Sequence, residues 1–159
     1  MPKPKNQRDE FAEHYVAGVF ADAGWCIYFP HRDRGFDFVV TKKTARGMVL
    51  RPVQVKGKFP EATTVIRNDY GYRGKLTATH PNMVLAIPLF TALKTLAHPV
   101  HIAYMPFGKI FPRQILSRQD SELTCYPAQL VEGNIVPKET FRQYFDDEGL
   151  SALGSEDWT

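Results

Sequence analysis

Two apolar runs, GFDFVVT at 35–41 and MVLRPVQVKGK at 48–58, are joined by KKTARG, and this pair constrains the chain more than any other stretch. Short runs rich in valine and phenylalanine read as strands, and a polar link containing glycine reads as the turn between them. A turn centred between Ala45 and Arg46 sets the register, so that opposed residues carry numbers adding to 91. A slip of one residue would send one strand's apolar set to the wrong side of the sheet. In this register Gln54 and Lys56 face away from Val53 and Val55, and Asp37 sits directly across from Gln54. An acid, an amide and an ammonium thus share one patch of an otherwise apolar sheet. Pro52, which cannot donate to a ladder, predicts an irregular start or a bulge in the second run.

Around this hairpin the pattern is that of an α/β chain. KNQRDEFAEHYVAGVFADAG reads as a helix, with Ala12, Val16, Val19, Phe20 and Ala23 on one stripe and Gly24 just past the end. WCIYF reads as a strand stopped by Pro30. RNDYGYRGK reads as an exposed loop, MVLAIPLF and VHIAYMPF as strands, and TALKTLA as a short helix between them. VPKETFRQYFDDEG reads as a late helix, with Pro137 in its first turn and Phe141, Tyr144 and Phe145 on one face. The expectation is one domain over residues 1–150, a central mixed sheet flanked by helices, and a flexible tail over 151–159.

The chain has 159 residues, enough for a single well-packed core. No run approaches the roughly 18 apolar residues of a membrane span, and the start, MPKPKNQRDE, has no signal-peptide core; a cytoplasmic location without membrane contact is expected. The two cysteines, Cys26 and Cys125, are far apart and suit a reducing compartment. The five histidines show no zinc spacing and are read as structural. Charge is unevenly spread. Residues 1–118 hold 18 Lys and Arg against 8 Asp and Glu, while 119–159 hold 2 against 9. A basic body with an acidic end points to a polyanionic partner.

A fourth polar group belongs with the patch. Glu13 lies about 20° from Phe20 around the helix, at the border of the apolar stripe, and can lean toward the sheet edge. Two carboxylates and a lysine near a core cost several kcal/mol unless they pair or hold a metal. Mg²⁺ takes hard oxygen ligands, commonly one or two carboxylates, and the Gln54 carbonyl offers a third oxygen.

The layout E…GW…GFDFVV…VQVKGK resembles the PD-(D/E)XK nuclease superfamily, which includes restriction enzymes and Holliday-junction resolvases. The likeness covers roughly residues 9–58. Glu13 stands on the first helix and Asp37 opens the second strand; Gln54 and Lys56 occupy the (D/E)XK positions in a glutamine-containing, QxK form. Gly35-Phe36 replaces the proline that some members carry before the aspartate.

The resemblance implies a restriction-endonuclease-like αβββ(α)β core. It implies a catalytic set of Glu13, Asp37, Gln54 and Lys56, with Glu13, Asp37 and Gln54 holding Mg²⁺, for which Mn²⁺ substitutes. The implied activity is endonucleolytic hydrolysis of DNA, branched or site-specific, with RNA left open as a target and a homodimer the analogy for cutting both strands. The alternative is a nucleic-acid-binding module on the same fold, weak or inactive in catalysis because Gln54 is neutral. Arg32, Arg34 and Lys58 flank the patch as phosphate contacts. Arg67, Tyr70, Tyr72, Arg73 and Lys75 alternate cations and rings in the manner of a nucleic-acid-binding loop.

Overall fold

Helix α1 (Gln7–Asp22) carries Asp9 and Glu10 in its first turn, where the helix dipole favours acids, and buries Ala12, Val16, Ala17 and Phe20. It ends as its sequence demands. Gly24 takes φ +89°, and the Trp25 N–H reaches back to the Phe20 carbonyl at 3.0 Å, leaving the two rings edge to face at 5.9 Å. This is the glycine-capped helix end with its apolar clasp.

The computed structural model describes residues 7–32, 35–59, 68–91, 98–110, 123–155 and 158. After α1 come β1 (Cys26–Tyr28), β2 (Phe38–Thr44), β3 (Gly47–Val55), β4 (Asp69–Gly74), β5 (Val84–Leu89) and β6 (His101–Pro106). Then follow the short α2 (Phe107–Ile110), β7 (Leu123–Val131), β8 (Asn134–Pro137), a 3₁₀ turn over Glu139–Tyr144 and α3 (Asp146–Ala152). No helix among the described residues is long and apolar enough to cross a membrane.

Among the described residues the strands form two sheets. The larger runs β1-β2-β3-β5-β6, antiparallel except for the parallel β3–β5 pair; the smaller runs β4-β7-β8. The fold is mixed α/β, as expected. The β2–β3 ladder runs from Thr44↔Gly47 to Phe38↔Val53 without interruption, in the expected register. Pro52 therefore makes no bulge. It pairs with Val39 on one side and lies just before the point where β5 joins at Val53, so its missing donor interrupts no described ladder.

Two apolar clusters occupy the two faces of β5. Val84 and Ala86 pack with α1, Phe38, Val53, Val55 and α3; Leu85, Ile87 and Leu89 pack with β4, β7 and Ile135. Burial on both faces explains why MVLAIPLF is continuously apolar.

Several expectations are corrected. The expected flanking by helices holds for one face of the large sheet, while the small sheet covers part of the other. RNDYGYRGK is no exposed loop: it supplies β4, with Tyr70 and Gly71 buried. This strand lies in the β3–β5 connection, of which residues 60–67, where the optional helix of the expected core would fall, lie outside the described residues. The late helix is broken, because Phe145 is extended and Asp146 sits at φ +53°. The cause is long-range: the Asp146 carboxylate accepts the Ile102 N–H at 2.9 Å and contacts His101 Nδ1 at 2.7 Å, covering the edge of β6.

The end of the chain is not a free tail. Leu153 and Trp158 are buried in the helix-side cluster, so the packed unit extends past residue 150. Arg51 holds the segment there, donating from Nε to the Leu153 carbonyl at 2.7 Å and from Nη2 to the Ser155 carbonyl at 3.1 Å. The TALKTLA helix falls mostly on 92–97, outside the described residues.

Candidate functional site

The site forms where β2 and β3 part. The regular ladder stops at Phe38↔Val53, one pair short of Asp37. Asp37 takes over with its own groups. Its N–H donates to the Val53 carbonyl at 2.9 Å, and its Oδ2 accepts the Val55 N–H at 2.6 Å. A carboxylate accepting a main-chain N–H forms one of the stronger protein hydrogen bonds, and it fixes Asp37 against the strand that carries Gln54.

Gly35, two residues earlier, makes this approach possible. It adopts φ +98°, and a Cβ there would lie 2.6 Å from the Ala78 Cβ and 3.0 Å from Thr77 Oγ1. A side chain would meet both strain and collision. The Gly35 carbonyl accepts a 2.7 Å bond from Gln54 Nε2, which also reaches Thr77 Oγ1 at 3.3 Å. The loop before β2, the C-terminal end of β3 and the segment after β4 are thus tied together through one amide.

That amide is only half satisfied. Gln54 is 2 % exposed, and its Oε1 is buried with no hydrogen-bond partner among the described residues. Turning the amide over would set its oxygen against the Gly35 carbonyl, so the orientation is chemically determined. A buried acceptor left without a donor costs about 1–3 kcal/mol.

Glu13 and Asp37 meet across a cleft of about 240 Å³. Its walls are Glu10, Glu13 and His14 from α1, Phe29 and Pro30 after β1, and Phe36 and Asp37 before β2. Glu10, Glu13 and His14 fall three and four residues apart, hence on one helix face, and His14 Nε2 lies 3.8 Å from Glu10 Oε1. The helical glutamate therefore does join the aspartate. Gln54 and Lys56 follow on the adjacent strand at the same end of the sheet, but neither is among the residues lining the cleft. Lys56 is half-buried, with its Nζ 5.8 Å from the centre of the Tyr72 ring, within cation–π range.

The expected nucleic-acid contacts divide. Lys58 lies with its Nζ 5.6 Å from the Tyr70 ring centre. Tyr70 itself is corrected from a stacking platform to a core residue: it is buried, and its hydroxyl donates to the Phe90 carbonyl at 3.1 Å. Tyr72 is half-buried and donates to the Lys75 carbonyl at 3.0 Å. Arg32, Arg73 and Lys75 are exposed, and Arg34 and Arg67 lie outside the described residues.

Sequence reading missed Gly35 and Thr77 as the clasp on Gln54, and Glu10 and Phe29 as cleft walls; His14, read as a structural residue near the site, lines the cleft. The spacings of three and four residues from Glu10 place Glu13 and His14 on its helix face; nothing local signals Thr77.

The donors suit a hard divalent cation. Among the described residues no three His, Cys, Asp or Glu side chains are grouped to hold a metal ion; the cleft brings Glu10, Glu13 and Asp37 to its walls, and Gln54 stands outside its lining. The unpartnered Gln54 Oε1 is an acceptor that a cation would satisfy, and oxygen-only ligation with few carboxylates is the habit of Mg²⁺. No family model matches the chain, and no curated protein or solved structure is similar enough to match it.

Proposed function

We propose that the chain is a Mg²⁺-dependent endonuclease acting on DNA. The observation that carries this reading is the meeting of Glu13 and Asp37 in one cleft, at the sheet end where Gln54 holds an unpartnered buried oxygen. A Mg²⁺ ion held by Glu13, Asp37 and Gln54 Oε1 would neutralise charge at the phosphate and acidify a bound water.

The chain's own groups do the rest. Asp37 is held in place by the Val55 N–H, which limits the reorganisation needed when substrate binds. Lys56 brings its amino group to the same end: charged, it would orient the attacking water; neutral, it would take that water's proton. The water oxygen bonds to phosphorus, the bond to the 3′ oxygen breaks, and that oxygen leaves to be protonated by solvent. Lys58 and Arg32 serve as phosphate contacts, consistent with the basic first part of the chain. Cutting both strands on this reading calls for two copies, and a cytoplasmic setting fits free Cys26 and Cys125.

The test is incubation with plasmid and branched DNA, and with RNA, in Mg²⁺ or Mn²⁺ beside a Lys56→Ala control. Metal-dependent cleavage that the control loses supports the proposal; its absence with either metal overturns it. One observation favours a second reading, nucleic-acid binding without catalysis. Gln54 is neutral and already engaged with Gly35 and Thr77. A mobility shift without cleavage supports that alternative.

A further inference from the structure

The cleft that holds Glu13 and Asp37 combines two chemistries that seldom share one small space. Glu10, Glu13 and Asp37 bring three carboxyl groups, while Phe29, Pro30 and Phe36 bring apolar wall. Phe29 is a large hydrophobic left 57 % exposed. Its ring sits 5.8 Å from Phe38 and 6.0 Å from His14, so two neighbouring rings support it while more than half of the residue stays open to solvent. A held ring with an open face is what stacking needs: little rotamer entropy is left to lose.

We propose that Phe29 is the stacking platform for one unpaired base next to the scissile phosphate, so that the cleft takes a single nucleotide of an unpaired strand. This rests on the nuclease reading above. The carboxylates repel a bare phosphate, so the nucleotide enters only with a divalent cation between. A cation alone has no use for the aromatic wall. Phe29 is 57 % exposed, and a base can lie flat on its ring only if the base's own face is uncovered, as in an unpaired strand. The His14 and Phe29 rings, tilted 49° to each other, leave no parallel slot between them, so the base lies on the outer face of Phe29. The substrate class that follows is single-stranded or frayed nucleic acid, such as the unpaired end at a branch.

The experiment is equilibrium binding of the full chain to a short single strand, its blunt duplex and the same strand with one abasic position, with and without Mg²⁺. Stacking of one base sets the expected loss on Phe29→Ala at about fivefold to a hundredfold for the single strand, with little change for the duplex. Phe29→Tyr restores binding. Phe29→Trp adds an exposed indole, distinguishable from buried Trp25 and Trp158, whose emission the single strand quenches only with Mg²⁺ present.

Single-strand binding unchanged by Phe29→Ala overturns the platform and leaves the nuclease reading standing. Phe29-dependent binding without cleavage keeps the platform and removes the nuclease. Quenching by spermidine without metal, and not by the strand, overturns the platform in favour of a cationic ligand. Circular dichroism of each variant separates these outcomes from misfolding.

Discussion

Arg51 and Gln54 lie three residues apart on β3 and are the two buried polar side chains among the described residues, yet they are buried on different terms. Arg51 is closed. Its guanidinium donates to two carbonyls and lies 4.5 Å from the centre of the Trp158 ring, and burial draws its pKa below the usual value. Gln54 is open: its nitrogen is engaged and its oxygen has no partner. A buried charge whose donors reach the chain's own carbonyls has a structural task. A buried polar atom without a partner calls for an explanation, and there are two among the described residues: Gln54 Oε1, and Trp158 Nε1 beside Arg51.

The largest expected effect falls at the open end. Lys56→Ala should lower metal-dependent cleavage by about 10²- to 10⁴-fold, the range for loss of a positioned proton-transfer group. Its urea unfolding midpoint should barely move. A variant that unfolds but cleaves normally when folded would make Lys56 structural and erase the contrast with Arg51.

Arg51→Ala should do the reverse. Removing it strands two carbonyls, opens a space beneath Trp158 and releases the C-terminal segment, at about 3–4 kcal/mol by urea denaturation. Arg51→Lys should recover only part, since an ammonium lacks the planar fork that reaches both carbonyls. Cleavage by the folded fraction should persist. A loss near zero would mean that the segment docks without this residue.

The contrast also explains what could be read from the sequence. The β2–β3 register was legible because a short polar turn and an alternating apolar pattern agree, and both are local. The α1 stripe and its Gly24 cap were legible for the same reason. What stayed hidden depends on distant partners. β4 looks like a loop because its glycines suit turns; Gly71 is needed because a Cβ there would strike the Cys125 carbonyl of β7. Trp158 looks like a frayed terminus until Arg51, more than a hundred residues earlier, is placed beneath it. Of the four residues expected to share one patch, Glu13 and Asp37 line one cleft and Gln54 and Lys56 stand outside its lining, whereas the Gly35–Gln54–Thr77 clasp joins three segments that no periodicity connects.

Cys125 tests burial without a partner at a group that titrates. Burial pushes its thiol up to about 12, against an opposing pull from Lys138. A raised folded pKa means the contribution is intact below the unfolded value, near 8.5, and is lost as pH climbs toward 12. At pH 10 the loss should be about 2 kcal/mol, and Cys125→Ala should remove that part of the alkaline slope. Exposed Cys26 should leave the slope unchanged when replaced.

Gln54→Glu probes the open acceptor itself, with an effect whose sign depends on metal. In EDTA the new carboxylate would face the Gly35 carbonyl and lose the Nε2 bond, lowering stability by about 1–2 kcal/mol. With Mg²⁺ the added charge should bind the ion more tightly and raise the melting temperature above that of the EDTA form by more than wild type gains. An equal metal response in both proteins would separate Gln54 from any cation.

Gly24→Ala supplies the smallest effect and the reference for the others. The position needs φ +89°, which costs a residue with a Cβ about 1 kcal/mol, and the Lys42 side chain, 3.8 Å from the added carbon, has room to shift. Gly24 ends α1 beside Trp25, while Glu13 and His14 face the cleft from the middle of the same helix. If α1 holds Glu13 as a rigid strut, the loss should be the same in EDTA and in Mg²⁺, and it should add to that of Arg51→Ala within about 0.5 kcal/mol. A larger loss in Mg²⁺ would show that the cap and the cleft are coupled through the helix, and the open end of β3 would then depend on the α1 C-terminus as well as on the strand.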